Sequence, residues 1–267
     1  MCGIFAYLNH LTERSRDEII QILLNGLARL EYRGYDSAGL AVDGDGEDKK
    51  NVLIFKQVGK VNALRQFIEE QKKSIDVKRT FLTHVGMAHT RWATHGPPCP
   101  INAHPHRSDP TNKFSVVHNG IITNYKELRT LLESKGFQFE SDTDTECVAK
   151  LALYLYEEQI KTGQEVNFCS LVKQVLKEIQ GAYALIFKSP FFPEQVIATR
   201  RGSPLIIGVK SGNKLRADFV DIKFGLESNE FSTKPNSNGL DANGEIKLRR
   251  VASRSFMPDD GSSVPIE

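Results

Sequence analysis

Met1-Cys2-Gly3-Ile4-Phe5-Ala6-Tyr7-Leu8 opens the chain with a cysteine directly after methionine and an apolar run directly after the cysteine. Cysteine is small enough for an initiator methionine to be trimmed, and trimming would leave Cys2 with a free α-amine beside its thiol. A thiol of pKa about 8.5 and an α-amine of pKa about 7.7–8.0 both titrate close to neutrality. One residue would then supply nucleophile and base, the proton passing between them through water. Gly3 to Leu8 fits a buried strand, which would hold such a terminus in place. Met-Cys by itself reads as a structural cysteine near an ordinary start, and it is the rest of the chain that reverses this.

The 267 residues, 40% hydrophobic and 25% charged, describe a soluble globular protein of one large domain or two small ones. A net charge of +2 is too weak to imply nucleic acid or a membrane surface as partner. No apolar run is long enough to span a bilayer and no charged-then-apolar leader is present, so a cytoplasmic location is expected. Cys2, Cys99, Cys147 and Cys169 show neither close pairing nor CxxC spacing, which argues against a disulfide framework and against zinc. Cys147 and Cys169 sit among apolar helical positions and are expected in the core. Cys99 lies in the Pro-rich Gly96-Pro97-Pro98-Cys99-Pro100 and is expected in a loop.

Outward from the terminus, Ser15-Arg16-Asp17-Glu18 has capping-box spacing, and Ile20, Leu23, Leu24, Leu27 and Leu30 recur at helical intervals, predicting a helix from Ser15 to Arg29. Leu30 to Gly39, containing Arg33, reads as a tight turn before a strand at Leu40–Val42. An exposed loop at Asp43–Lys50, a strand at Val52–Gln57, a surface helix at Val61–Gln71 and a strand at Val85–His89 follow. Helices intervene too irregularly for a parallel βαβ series.

His89 to Gly120 carries the densest chemistry. His89-Thr90-Arg91-Trp92-Ala93-Thr94-His95-Gly96 sets a guanidinium among hydroxyls and imidazoles, and an arginine beside hydroxyl donors suits a carboxylate. Asn102-Ala103-His104-Pro105-His106 has the look of a metal site, but no carboxylate or thiol cluster accompanies its histidines, so no metal is expected. Phe114–His118 reads as a strand ending at Asn119-Gly120. An asparagine amide and the next N–H presented together can hold an oxyanion, although Asn-Gly alone is more often a turn.

Asn124 is placed as the cap of a helix reaching Ser134 and ended by Gly136. In Ser141-Asp142-Thr143-Asp144-Thr145-Glu146, Thr143 and Glu146 stand at capping-box spacing before Val148, Leu151, Ala152 and Leu155. A carboxylate at that helix start complements the dipole, and the same place keeps Asp144 ionised to receive an ammonium. A helix at Asn167–Ile179 and strands at Ala182–Phe187, Gln195–Ala198 and Leu205–Val209 complete the folded region. From Gly225 the texture turns to Ser, Asn, Gly, Asp and Lys, the composition of a disordered segment.

Cys2-Gly3-Ile4-Phe5, Arg33-Gly34-Tyr35-Asp36-Ser37, the His89–Gly96 run, His118-Asn119-Gly120 and the Ser141–Glu146 run occur in one order. Together they closely resemble the glutaminase (class II glutamine amidotransferase) domain of the isomerising glutamine–fructose-6-phosphate aminotransferases, in a eukaryotic texture. The resemblance implies an α+β fold, a four-layer αββα N-terminal-nucleophile hydrolase sandwich of two antiparallel sheets. That domain would span residues 1–224, lacking its final strands, with 225–267 as a polar insert or tail.

By the same resemblance Cys2 attacks the glutamine side-chain amide, Asn119 and Gly120 form the oxyanion hole, Arg91 with Thr94 and His95 grips the α-carboxylate, and Asp144 takes the α-ammonium. Arg33 resembles a residue near the nucleophile, Trp92 a gate to an ammonia channel, and His104 a loop residue that closes the site. Arg200-Arg201-Gly202-Ser203 is similar to a basophilic-kinase site at Ser203, though it also reads as a charged turn. No cofactor is implied. The partners implied are L-glutamine and the sugar-isomerase domains of a longer enzyme, with oligomerisation through them. A catalytically silent regulatory or interaction fragment is the competing expectation. A stand-alone amidohydrolase of the penicillin-acylase kind is disfavoured by the Arg91 and Asp144 clamp, which selects a free amino acid.

Overall fold

The apolar runs of this chain carry large residues on both faces, and a strand can do so only if both faces are covered. A computed structural model, describing residues 2–45, 51–93, 96–163 and 165–210, shows how they are covered. The first half comprises β1 (Gly3–Asn9), β2 (Arg14–Ser15), α1 (Arg16–Leu30), β3 (Ser37–Asp43), β4 (Val52–Val58), α2 (Val61–Gln71), β5 (Thr80–Phe81) and β6 (His84–Arg91). The second comprises β7 (His106–Arg107), β8 (Ser115–Ile122), α3 (Tyr125–Ser134), α4 (Thr145–Lys161), α5 (Phe168–Glu178), β9 (Gly181–Lys188) and β10 (Ile197–Arg201).

Two four-stranded sheets result, ordered β1-β6-β3-β4 and β10-β9-β8-β7, with β2 and β5 as a separate pair. Every named pairing is antiparallel. The strand period of two sorts the side chains into layers. From the first sheet, Phe5, Tyr7, Ala38, Leu40 and Ala88 pack with Ile19, Leu23 and Leu27 of α1 and Leu64 of α2. Their alternates Ile4, Ala6, Ala41 and Met87 meet Val117 and Ile186 of the second sheet. On that sheet's outer side Val116, Leu185 and Phe187 join Leu132, Val148 and Phe168 of α3, α4 and α5. The order is therefore helix, sheet, sheet, helix.

Local chemistry sets the element ends. Ser15 and Glu18 form a full capping box, Ser15 accepting from the Glu18 N–H while the Glu18 carboxylate accepts from the Ser15 N–H at 2.8 Å. Behind α3 the Phe137 N–H reaches the Leu132 carbonyl and the Gly136 N–H the Glu133 carbonyl, both at 3.0 Å, which is a Schellman closure. Asn167 caps α5 by accepting from Ser170 N–H.

Other sequence expectations are corrected. Asn124 stands at the start of α3, but its amide binds Gln180 N–H and the Glu178 carbonyl instead of capping the helix. Thr143 and Glu146 form no box: Glu146 turns back to accept from the Glu140 and Ser141 N–H groups and the Ser141 hydroxyl. Cys169 is exposed on the outer side of α5, whereas Cys147 is buried as expected. Among the described residues the last paired strand is Ile197–Arg201, and Leu205–Val209 is not a strand: Ile206 is 92% exposed, and no described strand completes a ladder with the segment. The disorder expected for 225–267 lies outside the described residues.

Candidate active site

Strand register brings the two ends of the chemistry together. Gly3 pairs with Thr90, so Cys2 emerges beside Arg91 and Trp92 where β6 ends. There the Trp92 N–H donates to Sγ at 3.2 Å, and the thiol lies 3.6 Å from the Trp92 carbonyl oxygen. From the facing sheet, Asn119 of β8 donates its amide N–H to the Cys2 carbonyl at 3.0 Å. The cysteine is thus held at the seam between the sheets, with Arg91, Trp92, His104, Gly120 and Asp144 lining the same cleft.

Asn119 and Gly120 are not a turn. They lie inside β8, paired with Ala184 and Tyr183 of β9. Gly120 holds φ at +133°, and a Cβ there would overlap the Ala182 carbonyl oxygen and stand 2.8 Å from Tyr183 Cα. Only glycine fits, because the backbone of the neighbouring strand occupies the space of a side chain.

Opposite charges flank the cysteine. Arg91 is 3% exposed, its guanidinium donating to the Gly96 carbonyl at 3.1 Å and the Pro97 carbonyl at 3.4 Å. Burial lowers its pKa, against the raising influence of Cys2, Cys99, Asp36 and Asp144. Asp144, 5% exposed at the start of α4, leaves that helix uncapped and accepts instead from the Ile122 N–H at 2.8 Å and the Thr145 hydroxyl at 3.2 Å. A cation and a carboxylate on one cleft offer complementary partners to the two charged ends of a dipolar ligand. Burial pushes the Cys2 thiol pKa up, while the Trp92 hydrogen bond and the Arg91 charge pull it down.

Residues whose grouping the sequence did not reveal hold these groups. Four buried histidines cluster at the cleft, His104 and His118 lining it and His89 and His106 outside the lining. His89 and His104 stack at 4.0 Å, and His106 meets His104 edge-on at 4.6 Å. Burial holds His104 and His106 well below the usual imidazole range, helped by the neighbouring histidines at His104 and by the Lys56 and Arg91 charges at His106. His106 bonds the Thr143 hydroxyl at 3.0 Å and His118 the Thr145 hydroxyl at 2.8 Å, while His104 Nδ1 accepts from the His118 N–H. Asp36 accepts from the Ala93 N–H at 2.7 Å and so fixes the loop that reaches Sγ. Buried Asn102 ties that loop, through the Pro97 carbonyl, to the Asp142 N–H beside the clamp. Alternation along Met87, His89 and Arg91 was the available signal for the histidines, since it points all three into the space between the sheets.

The remaining expected residues are placed unevenly. His104, in the bend before β7, is 5% exposed, lies against the rings of His89 and His106 and lines the cleft. Trp92 is 42% exposed and packs edge-on against Tyr35 at 5.2 Å, so it is not a core aromatic. Arg33 is half-buried, stands over the Tyr32 ring and is not among the residues lining the cleft. Ser203 lies in the bend after β10, its carbonyl accepting from Arg200, away from the cleft lining. Thr94 and His95 lie outside the described residues. Among the described residues no group of three or more His, Cys, Asp or Glu side chains is arranged to hold a metal ion.

Comparison with known proteins decides the family. Residues 99–216 match the glutamine amidotransferase domain. This chain carries a glutamine amidotransferase domain. Its full length is 52% identical to the glutamine–fructose-6-phosphate aminotransferase (isomerizing) of Saccharomyces cerevisiae, of which it covers 40%. Similarity to the human aminotransferase of that name, form 2, is 52% over 84% of the chain and 33% of the relative. The amidotransferase domain thus spans about two fifths or less of the curated relatives it matches, and corresponds to their N-terminal region.

Among solved structures, it resembles the glutamine phosphoribosylpyrophosphate amidotransferase of B. subtilis with a TM-score of 0.50 and 26% identity, over 71% of this chain and 35% of that one. A structure titled as the allosteric regulatory enzyme of purine biosynthesis matches at 0.52 and 27%, over 71% of this chain and 36% of that one. The domain has the α+β N-terminal-nucleophile sandwich that its motifs implied. No helix among its described residues is long and apolar enough to cross a membrane.

Proposed function

We propose that the domain hydrolyses L-glutamine to glutamate and ammonia. Cys2 attacks the side-chain amide carbon as its own α-amine takes the thiol proton, so the active enzyme begins at Cys2. The amide of Asn119 and the N–H of Gly120 receive the oxyanion. Arg91 binds the α-carboxylate, with Thr94 and His95 assisting, and Asp144 binds the α-ammonium. The amine returns its proton to the departing ammonia, and water then releases glutamate from the thioester. The observation that carries this reading is one cleft lined by the Cys2 thiol, Gly120, the buried Arg91 guanidinium and the buried Asp144 carboxylate, with the Asn119 amide bonded to the Cys2 carbonyl at its edge.

The relatives' names suggest the use of the ammonia, on fructose 6-phosphate, and this chain matches about two fifths or less of their length. A cytoplasmic location and oligomerisation through isomerase domains belong to the same proposal. Residues 1–224 would form the glutaminase unit and 225–267 a polar insert.

Steady-state glutamate release tests the assignment. Cys2→Ala should abolish it, and intact mass of the active protein should lack Met1. Asn119→Ala should lower kcat about 10²- to 10³-fold with little change in KM, since that donor acts on the charge that develops. Arg91→Lys should chiefly raise KM, about tenfold to a hundredfold, through loss of paired contacts to the carboxylate. Glutamate release that survives Cys2→Ala would refute the assignment.

A further inference from the structure

His89 lies on β6 two residues before Arg91, wholly buried, and reaches across the seam to the other sheet. Its Nε2 stands 3.0 Å from the His118 carbonyl oxygen and 3.0 Å from Asn119 Oδ1. The carbonyl can only accept, so Nε2 must carry the proton, and the Asn119 atom it faces must then be the amide oxygen. At the other end the Asn119 nitrogen donates to the Cys2 carbonyl at 3.0 Å, again an atom that can only accept. Two independent contacts therefore select one orientation of the amide, the one that turns its N–H groups toward the cysteine. A flipped amide would set oxygen against the Cys2 carbonyl and N–H against N–H at His89.

We propose that His89 is a positioning residue that fixes the Asn119 amide as an oxyanion donor. The inference rests on the glutaminase reading above and names what holds its oxyanion hole in register. The ring is itself held, stacked on His104 with 16° between planes. Burial pushes its pKa down to about 3, so the ring stays neutral across the working range, and the His118 carbonyl selects the Nε2–H tautomer. Geometry of this kind matters because an oxyanion donor acts only when aimed before charge develops.

The experiment is a mutant cycle in glutamate release, run on the full chain. His89→Phe keeps ring volume and stacking but removes the donor, and should lower kcat about 10- to 100-fold while KM changes less than about threefold, a fraction of the loss expected for removing the oxyanion donor itself. His89→Gln, whose amide N–H can replace Nε2–H, should restore most of that loss. In an Asn119→Ala background His89→Phe should cost under about threefold more, because the group it orients is gone. Full additivity, or unchanged kcat in His89→Phe, overturns the proposal, even if Asn119→Ala confirms the oxyanion hole. Activity that survives Cys2→Ala instead strikes the glutaminase reading. Should His89→Phe fail to fold, nitrogen-15 spectra of histidine-labelled wild type decide independently. The Nε2–H tautomer between pH 6 and 8 is expected, and an Nδ1–H tautomer would overturn the assignment.

Discussion

Gly120→Ala tests whether the cleft depends on strand geometry. The added Cβ would overlap the Ala182 carbonyl oxygen and stand 2.8 Å from Tyr183 Cα. Unstrained carbon contacts lie near ~3.5–4.0 Å, so β8 must move from β9 by about 1 Å, or φ must leave +133°. A 1 Å opening stretches one or two ladder hydrogen bonds beyond use, at about 1 kcal/mol each. Backbone strain adds about 1–3 kcal/mol. A total loss of about 2–5 kcal/mol is within what a domain of ordinary stability survives at 25 °C.

The same shift moves the Gly120 N–H, which must lie about 2.7–3.1 Å from the oxyanion to act, so kcat should fall about 10²- to 10³-fold with KM nearly unchanged. Gly136→Ala is the internal control, because its φ is +91° but nothing lies within 4 Å of the new Cβ. That variant should lose about 1 kcal/mol and no activity. Urea unfolding and steady-state glutamate release read both quantities. If Gly120→Ala keeps kcat within threefold of wild type, or is no less stable than Gly136→Ala, the reasoning from backbone overlap is wrong.

Two further predictions concern the frame. Lys188 of β9 pairs with Asp43 of β3 across the sheets, both 1% exposed, so Lys188→Met should cost about 3–5 kcal/mol by leaving a buried carboxylate, while Lys188→Met with Asp43→Leu should recover most of it. Equal urea midpoints for the single and double variants would remove the pair from the account. Burial lowers the pKa of His89, His104 and His106, so the unfolded chain binds more protons below its own histidine pKa of about 6.5. Their stabilisation is complete above that pH and is lost as pH falls, over a window reaching to about 3 for His89. Between pH 7.5 and 5.5 the loss from His89 alone is about 1.4 kcal/mol, His104 and His106 add losses of the same sign, and Tm should fall by at least about 3 °C. A Tm that is flat over that interval would contradict it.

Local signals were legible where the chemistry is local. The Ser15–Glu18 box and the Gly136 closure each need only a few neighbouring residues, and each appears where the spacing placed it, apart from a residue or so at the ends. Asn119-Gly120 was ambiguous because its local preference is a turn, and only the backbone of β9 explains why glycine is needed inside a strand. Thr143 and Glu146 had box spacing, yet Ser141 offered Glu146 two donors at once and won. The histidine cluster was illegible as a unit. Its members come from β6, β7, β8 and the turn before β7, so no sequence period joins them, although they were each in view as motif letters.

The histidines also bear on which group can serve as base. Among the described residues, the hydrogen-bond partners of Sγ are backbone atoms of Trp92, and no side-chain base touches it. Burial raises the thiol pKa while it holds the His89 imidazole at about 3, so passing the thiol proton to that ring is strongly uphill. An α-amine of pKa about 8 lies far closer to the thiol. The burial that makes His89 useful for aiming an amide therefore disqualifies it as a base, and the same holds in direction for His104 and His106. With those three rings weak as bases and backbone atoms alone bonded to Sγ, the structure supports the proposed transfer of the thiol proton to the α-amine of Cys2 at the head of β1.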